Sequence, residues 1–221
     1  MTSFNFLLVF SYWPALLAGL AVTLLLTIVT FAAGFAIAIL LVLMKKSSSK
    51  TAKSVADVYS AVFKAIPALV MIIWVYYALP MLTGLAISAF VAAALALTIS
   101  LSPFIADSII SGINAIPKEQ HESALVIGMS KTQSFRHIIF PQAIRNIAPD
   151  MLGWFITELK FTSLASIIGL NELLHISNII ISNTFLPFEV YTMLAAIYLA
   201  VVLSMEFAFR KITKINYRVI I

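Results

Sequence analysis

Residues 122–141 of this chain read Glu-Ser-Ala-Leu-Val-Ile-Gly-Met-Ser-Lys-Thr-Gln-Ser-Phe-Arg-His-Ile-Ile-Phe-Pro. The segment is polar and carries cations, whereas the sequence around it is almost entirely apolar. Its apolar side chains recur at three- and four-residue spacings, which predicts helix. Gly128 can end one short helix in a left-handed conformation, and Ser130 can cap a second helix that runs to about Ile139. The pattern therefore predicts a compact projection made of two short helices joined at a glycine.

The composition is that of an integral membrane protein. The chain has 221 residues, of which 62% are hydrophobic and 10% are charged, and its mean hydropathy is +1.06. Soluble domains average roughly 45–50% apolar and about 25% charged residues. We therefore expect one compact membrane domain. Because the chain contains no Cys, it offers no disulfide framework, thiolate metal site or thiol chemistry.

The positive charges fall into three clusters that indicate topology. The clusters are Lys45, Lys46, Lys50, Lys53 and Lys64; then Lys118, Lys131, Arg136 and Arg145; then Arg210, Lys211, Lys214 and Arg218. Only Lys160 lies apart from them. Lys and Arg concentrate in cytoplasmic loops, so all three clusters are expected on the inner side of the membrane. The net charge of +5 therefore does not indicate a nucleic-acid partner.

Five membrane spans account for these clusters. They are predicted at about residues 15–44, 65–82, 86–113, 150–168 and 187–209. Residues 1–14 are then a short periplasmic N-terminus, residues 114–141 a cytoplasmic loop and residues 216–221 a cytoplasmic tail. A cleaved signal peptide is not expected, since the N-terminus lacks a basic region and runs into a long span. The predicted fold class is an all-α membrane protein with its N-terminus outside and its C-terminus inside.

Two segments between the spans also show helical patterns. Over residues 45–65, apolar side chains recur at helical spacing opposite polar ones, which predicts an amphipathic helix at the membrane surface. A simple connector is the alternative. Residues 169–186 form an outer loop without Lys or Arg, and its stretch from Leu170 to Ile181 is expected to be a short re-entrant or surface helix.

A few ionisable residues lie within the predicted spans, where their burial in lipid makes them functional candidates. Asp107 lies about two turns from the basic end of the third span, so a structural hydrogen bond or ion pair is an equal alternative. Glu158 and Lys160 point about 200° apart, since a helix turns about 100° per residue. They cannot pair with each other, and each needs another partner, an aqueous cavity or a substrate.

Segment 122–141 resembles the EAA loop of ABC importer permeases, the cytoplasmic knob that docks onto the ATPase subunit in that family. The positions that carry the resemblance are Glu122, Ser123, Ala124, Gly128, Ile138 and Pro141. Ser123 replaces the first Ala of the family pattern, and Phe140 replaces the Leu before the Pro. Other stretches resemble, in order, the polar amino-acid branch of type I permeases, the His-Glu-Gln-Arg-opine family. They are Phe63–Pro67, Gly112–Lys118, Pro141–Arg145, Leu159–Ser166 and Phe185–Tyr191. The resemblance covers about residues 15–215, the predicted type I transmembrane domain.

The resemblance implies a permease subunit of an ATP-driven importer that translocates a polar amino acid across the bacterial inner membrane by alternating access. It implies three protein partners: a dimer of ABC ATPase subunits, a second permease subunit, identical or paralogous, and a periplasmic or lipid-anchored amino-acid-binding protein. This chain has no Gly-x-x-x-x-Gly-Lys-Ser/Thr loop, so we expect no enzyme activity in it. ATP and Mg would bind to the partner ATPase, and no cofactor or metal site is expected here.

The candidate substrate contacts lie in the middle of the fourth span. They are Glu158, Lys160, Thr162 and Ser163, with Asp107 as an outside candidate. Lys160 could meet a substrate carboxylate and Glu158 an amino group or a cationic side chain, which suggests a cationic amino acid. The same charges could instead hold spans or subunits together. Phe161 stands where the resembled branch has Asp.

Other functional classes predict different sequence features. A secondary transporter driven by an ion gradient would usually show more spans, internal duplication and several buried acids, and it would not need the docking loop. An intramembrane enzyme would need a nucleophile with its base or a metal site, yet no His lies within a predicted span and Cys is absent. Within the resembled family, a permease for another small polar solute is the alternative.

Overall fold

The structure is a computed structural model that describes residues 5–213. All regular elements in this range are helices, as the sequence predicts. They are α1 (Phe6–Phe10), α2 (Trp13–Lys45), α3 (Lys50–Ala65), α4 (Ala68–Thr83), α5 (Ala89–Asn114), α6 (Lys118–Val126), α7 (Lys131–Ile168), α8 (Leu173–Thr184) and α9 (Pro187–Thr213). The predicted cytoplasmic tail, residues 216–221, and the first four residues of the predicted N-terminal segment lie outside the described range.

Four described helices, α2, α5, α7 and α9, are long and apolar enough to cross a bilayer. Helices α3 and α4 provide a fifth span if this bent pair is taken together. The helix is interrupted at Ile66, which has extended backbone angles (φ −89°, ψ 124°), and at Pro67. Proline lacks a backbone N–H and disfavours the helical conformation in the residue before it. The second predicted span, 65–82, therefore begins after Pro67.

Helix α7 differs from the prediction. The sequence pattern placed a short helix up to about Ile139 and a separate span from residue 150, but a single helix of 38 residues runs from Lys131 to Ile168. A π-helical turn at Phe135–Ile139 immediately precedes Pro141, and such a wider turn accommodates a local change in the hydrogen-bond ladder. The expected break is therefore wrong. The predicted cytoplasmic loop, residues 114–141, which we call the docking segment after its predicted role, continues directly into the fourth span.

The chain divides into two compact units. Unit 1 comprises residues 1–32, 67–98 and 156–221, and unit 2 comprises residues 33–66 and 99–155. The apolar core of unit 1 includes Val9, Leu16, Leu173, Ile180, Val190 and Leu194. Two of these side chains belong to α8, so the helix predicted in the outer loop is present and buries one face within unit 1.

Gly19 allows α2 to approach the start of α8 closely within unit 1. A Cβ atom at Gly19 would lie 3.1 Å from the Leu173 Cα and 3.1 Å from the Ile176 Cγ1. One turn further along α2, the Thr23 hydroxyl accepts a 3.1 Å hydrogen bond from the Leu173 N–H. The absence of a side chain at Gly19 thus brings a polar group of α2 within reach of a backbone donor at the start of α8.

Unit 2 contains α3, α6, the end of α5 and the first part of α7. Its smaller apolar cluster consists of Ile116, Ile139 and Ala143, with Ile113, Ile138 and Ile147 packed against it. A Cβ atom at Gly112 would overlap with the Ile147 side chain, so glycine is needed for this close packing. The Asn146 side-chain amide donates a 3.3 Å hydrogen bond to the Gly112 carbonyl. This contact attaches the base of the docking segment to α5.

Candidate functional site

The corner between α6 and α7, which we call the docking corner, has the geometry that the sequence predicts. Gly128 adopts a left-handed conformation with φ of +83°. Its N–H donates to the Leu125 carbonyl at 3.0 Å, and the Met129 N–H donates to the Ala124 carbonyl at 3.0 Å. These two bonds form a Schellman motif, which satisfies carbonyl groups at the end of a helix and reverses the chain direction.

The start of α7 is capped by a reciprocal pair of hydrogen bonds. The Gln133 N–H donates to the Ser130 hydroxyl at 3.3 Å, and the Ser130 N–H donates to the Gln133 side-chain oxygen at 2.8 Å. This capping box satisfies two backbone donors at the helix start. The predicted cap at Ser130 is therefore confirmed, with Gln133 as a second participant that the sequence analysis did not identify.

Hydrophobic side chains lie exposed at the tip of this projection. Val126 is 86% exposed, Ile127 is 71% exposed and Leu125 is 41% exposed. Single exposed apolar residues are common on proteins, but a contiguous patch is typical of an interaction surface. We refer to Leu125, Val126 and Ile127 as the tip patch. The sequence showed their helical spacing but not their exposure.

The predicted docking residues differ in their exposure. Glu122 and Ser123 are exposed on α6, whereas Ala124 is fully buried. Ile138 is half-buried against the apolar cluster of unit 2. Pro141 is exposed within α7. The four cations of this region are also exposed: Lys118, Lys131, Arg136 and Arg145.

The candidate residues of the fourth span occupy different environments. Glu158 is 1% exposed, and neither of its carboxylate oxygens has a hydrogen-bond partner in the described part of the chain. The nearby Thr30 hydroxyl donates instead to the Leu26 carbonyl at 2.8 Å. Lys160 is exposed and makes no ion pair within residues 5–213. Consistent with the helical geometry, Glu158 and Lys160 do not pair.

Thr162 and Ser163 help to end the α-helical part of α7. The Thr162 hydroxyl donates to the Leu159 carbonyl at 2.7 Å, and the Ser163 hydroxyl donates to the Lys160 carbonyl at 2.7 Å. Both residues lie where α7 changes to a 3₁₀ helix. Their hydroxyl oxygens keep lone pairs that can accept a further hydrogen bond.

Asp107 lies in an ion-pair cluster within unit 2. One of its carboxylate oxygens is 3.1 Å from the Lys45 ammonium, and the other contacts the Lys64 ammonium. Lys64 also lies 5.6 Å from the centre of the Phe104 ring. The sequence leaves a structural and a functional role open for Asp107, and this arrangement supports the structural one. Neither lysine is recognisable as a partner from the sequence, because both are distant along the chain.

Glu172 is a buried acid that the sequence analysis missed. It caps α8, and its two carboxylate oxygens accept hydrogen bonds from the Leu174 N–H at 2.9 Å and the His175 N–H at 2.7 Å. Burial raises the pKa of Glu172 to about 7, while these two backbone hydrogen bonds act in the opposite direction. An acidic residue just before a predicted helix was the available signal. Among residues 5–213, no group of three His, Cys, Asp or Glu side chains could hold a metal ion.

Comparisons with known proteins agree over nearly the whole chain. The family model described as "binding-protein-dependent transport system inner membrane component" matches residues 34–214. The arginine transport system permease protein ArtQ of Bacillus subtilis (strain 168) is 32% identical over 194 residues, which cover 88% of this chain and 89% of that protein. The glutamine transport system permease protein GlnP of Escherichia coli (strain K12) is 30% identical over 206 residues, which cover 91% of this chain and 94% of that protein.

A solved structure shows a similar fold. The crystal structure described as an amino acid ABC transporter with histidines matches with a TM-score of 0.90 and 35% sequence identity. The match covers 96% of this chain and 99% of the other chain. The docking segment and the candidate residues of the fourth span all lie within the range of the family match.

Proposed function

This chain belongs to the family of binding-protein-dependent transport system inner membrane components, and from that premise we propose that it carries a polar amino acid inward by alternating access as the permease subunit of an ABC importer. It is a multi-pass membrane protein of a transport family, and its homologues are amino-acid permeases. The cytoplasmic membrane of a bacterium is its proposed location. The N-terminus lies outside and the C-terminus inside, because this orientation puts all three basic clusters in the cytoplasm.

The observation that supports a role in transmitting force from an ATPase to the membrane helices is the projection at the corner between α6 and α7. A Schellman motif and a capping box shape this corner from backbone and short side-chain hydrogen bonds. The projection presents the tip patch, together with the exposed Glu122 and Ser123, to a partner. We assign this surface to a separate ATPase subunit, which binds and hydrolyses ATP with Mg.

Helix α7 provides a direct route from that surface to the membrane. From Lys131 to Glu158 the helix is uninterrupted, a length of roughly 40 Å at about 1.5 Å per residue. A force applied at the docking corner therefore reaches the fourth span along a single helix. The proposed motion is driven when two ATPase subunits close and displace two such projections, one on each permease subunit.

The substrate pathway is assigned to the second half of α7. Glu158 offers an unpaired carboxylate, and Lys160 offers an exposed ammonium group. Thr162 and Ser163 supply hydroxyl oxygens beside them. A buried carboxylate without a partner favours a ligand with a positive charge, so a cationic amino acid is the proposed substrate. Asp107 is not included, because two lysines already occupy its carboxylate.

Two further partners complete the proposed importer. A second permease subunit, identical or paralogous, is needed because residues 5–213 form at most five spans and the sequence shows no internal repeat that could form a symmetric pathway. A free or lipid-anchored binding protein delivers the amino acid on the outer side. The family description, which names binding-protein-dependent transport, supports this second partner.

Gly128→Asp tests the coupling role against a matched control. Gly128 and Gly84 both have positive φ, +83° and +72°, and both have open space where a Cβ would lie. The same substitution at either position thus has a similar backbone cost. In membrane vesicles that contain the proposed ATPase and binding-protein partners, Gly128→Asp should abolish ATP-dependent uptake without loss of membrane insertion. Gly84→Asp, in the turn after α4, should retain uptake.

Two outcomes would contradict the proposal. Normal uptake by the Gly128→Asp variant would show that the corner does not transmit force. Uptake by the chain alone, driven by an ion gradient without ATP, would support a secondary transporter instead.

A further inference from the structure

Helix α3 presents three different faces within unit 2. The first is packed against the protein: Ala56 and Ser60 are buried, and the Tyr59 hydroxyl is hydrogen-bonded to Ser102 on α5 at 3.0 Å. The second is apolar and exposed. It consists of Val55, Val58 and Val62, which are 54%, 62% and 44% exposed. The third face is polar and includes Lys50 and Lys53, both exposed.

The exposed valines form one stripe along the helix. They occur at positions i, i+3 and i+7, which lie on one side of an α-helix. The structure therefore leaves the apolar side of this amphipathic helix uncovered and uses smaller and polar residues for packing. This arrangement is the reverse of the pattern on a surface helix of a soluble protein.

The lysines near α3 divide into two groups. Lys45 and Lys64 are turned towards Asp107 and are only 16% and 28% exposed at their side chains. Lys45 also lies 4.0 Å from Asp57, the one acid on α3. Lys46, Lys50 and Lys53 make no ion pair within residues 5–213. Three exposed cations thus remain without an ion-pair partner among residues 5–213, two of them on the polar face of α3 and one just before its start.

The position of α3 in the chain limits what can cover this stripe. Its first residue follows the end of the spanning helix α2 after four residues, Lys46–Ser49, and its last residue precedes the membrane segment α4 by two residues. Because α2 is long and apolar enough to cross the bilayer and a short linker joins α3 to its end, we place α3 at the membrane surface, as its amphipathic sequence predicts. A helix with an apolar stripe on one side and exposed lysines on its polar side is complementary to acyl chains and anionic head groups.

The geometry points to a binding surface for anionic phospholipid on α3, in which Lys46, Lys50 and Lys53 contact head-group phosphates and Val55, Val58 and Val62 contact the acyl chains. This surface is separate from the docking corner and from the second half of α7. The inference requires only that the chain is a membrane protein, so it can fail while the proposed transport function stands. The occupant is a lipid of the inner leaflet and not a soluble phosphate, because the valines require an apolar ligand.

The test uses the purified full-length chain in nanodiscs of phosphatidylcholine alone or of an equal mixture of phosphatidylcholine and phosphatidylglycerol. Bound lipids are counted by native mass spectrometry, and the thermal midpoint is measured in both nanodiscs. The unaltered chain should retain phosphatidylglycerol and be more stable in the mixture. The triple variant K46Q/K50Q/K53Q should bind phosphatidylglycerol about tenfold more weakly or worse, since each lysine near an anionic surface contributes to attraction.

Two matched variants separate this surface from general charge effects. K118Q/K131Q/R136Q removes the same number of exposed cations from the docking segment and should retain phosphatidylglycerol like the unaltered chain. Val58→Ser keeps all charges but interrupts the stripe, and it should weaken retention. Equal retention of phosphatidylglycerol by the two triple variants, or no effect of Val58→Ser, would overturn the inference. Equal stability of the unaltered chain in both nanodiscs would also overturn it, and would leave a protein partner as the occupant.

Discussion

The Lys45 ammonium lies 3.1 Å from one carboxylate oxygen of Asp107, and the Lys64 ammonium contacts the other. The three residues belong to the end of α2, the end of α3 and the second half of α5. One carboxylate of α5 thus joins the ends of α2 and α3 within unit 2. Asp107 was an open candidate for substrate contact in the sequence, and its two lysine partners favour the structural alternative.

Asp107→Asn should lower the stability of the chain. The substitution removes the negative charge between two partly buried ammonium groups, which then repel each other. Because the Asp107 side chain is 45% exposed, solvent reduces the loss to about 1–2 kcal/mol. Asp57→Asn is the control, since Asp57 is 69% exposed and 4.0 Å from Lys45. Equal thermal midpoints for the two variants in detergent would show that the cluster does not stabilise the fold.

Gly19→Ala should lower the stability of the chain, whereas Gly153→Ala should raise it. A methyl group at Gly19 meets the backbone of α8 at 3.1 Å, whereas one at Gly153 meets nothing within 4 Å. Overpacking at Gly19 should destabilise the chain by about 1–3 kcal/mol. Replacement of the helical Gly153 should stabilise it by about 0.5–1 kcal/mol, because Ala has the higher helix propensity. Thermal unfolding in one detergent compares them directly, and a loss of stability in both would contradict the assignment of Gly19 to close packing.

The double variant V126S/I127S should lose the proposed ATPase partner without losing stability. Both side chains are more than two-thirds exposed, at 86% and 71%, so their removal should change the free energy of unfolding by less than about 0.5 kcal/mol. Recovery of the ATPase by affinity purification of this chain should fall about tenfold, as expected for central apolar contacts of an interface. M81S/L85S, at similarly exposed positions outside the docking segment, should recover the ATPase normally. Normal recovery with V126S/I127S would exclude the tip patch from the interface.

The stability of the chain should depend on the ionisation of Glu172. Burial raises the pKa of Glu172 from 4.5 to about 7 in the folded chain. Between these two pH values the folded state binds more protons than the unfolded state, so stability should fall as the pH rises through this window and level off above it. Residues 161–209 contain no Lys or Arg, and the group facing Glu172 from α9 is the Tyr198 hydroxyl.

The measurement is the thermal midpoint as a function of pH for the parent chain and for Glu172→Gln. Between pH 4.5 and about 7, the thermal midpoint of Glu172→Gln should fall less than that of the parent chain. Glu119→Gln, an exposed acid on α6, should keep the parent profile. A Glu172→Gln profile parallel to that of the parent would show that this carboxyl group does not change its ionisation on unfolding.

Glu158→Gln should reduce the uptake of cationic amino acids without lowering the stability of the chain. The substitution removes a buried carboxylate that has no hydrogen-bond partner in the described residues, so stability should rise or stay equal. Uptake of lysine and arginine should fall about tenfold relative to glutamine, because a neutral amide loses the charge-assisted contact. Glu189→Gln is the control: Glu189 is also buried, but it accepts a 3.0 Å hydrogen bond from the Asn5 N–H. An unchanged preference in Glu158→Gln would remove the argument for a cationic substrate.

The docking corner was predictable because its determinants are local. Gly128 ends α6, and Ser130 caps α7 through residues no more than five positions away. Such short-range hydrogen bonds depend on side-chain type and spacing, which a sequence displays directly. By contrast, the predicted separation between a helix ending near Ile139 and a span beginning at residue 150 does not occur, because the π-helical turn at Phe135–Ile139 lies in a continuous helix. Proline is a weaker helix breaker in membrane helices than in soluble ones.

The sequence by itself determined that this chain is a bundle of membrane helices with a basic, two-helix projection, since apolar run length, charge placement and turn residues decide those features. Only the tertiary structure decided that Asp107 pairs with two lysines and that Glu158 has no hydrogen-bond partner among residues 5–213. It also decided that the valine stripe of α3 is exposed. The physical reason is distance along the chain: Asp107 lies 62 and 43 residues from its two lysines, and no local pattern records which distant segments will meet.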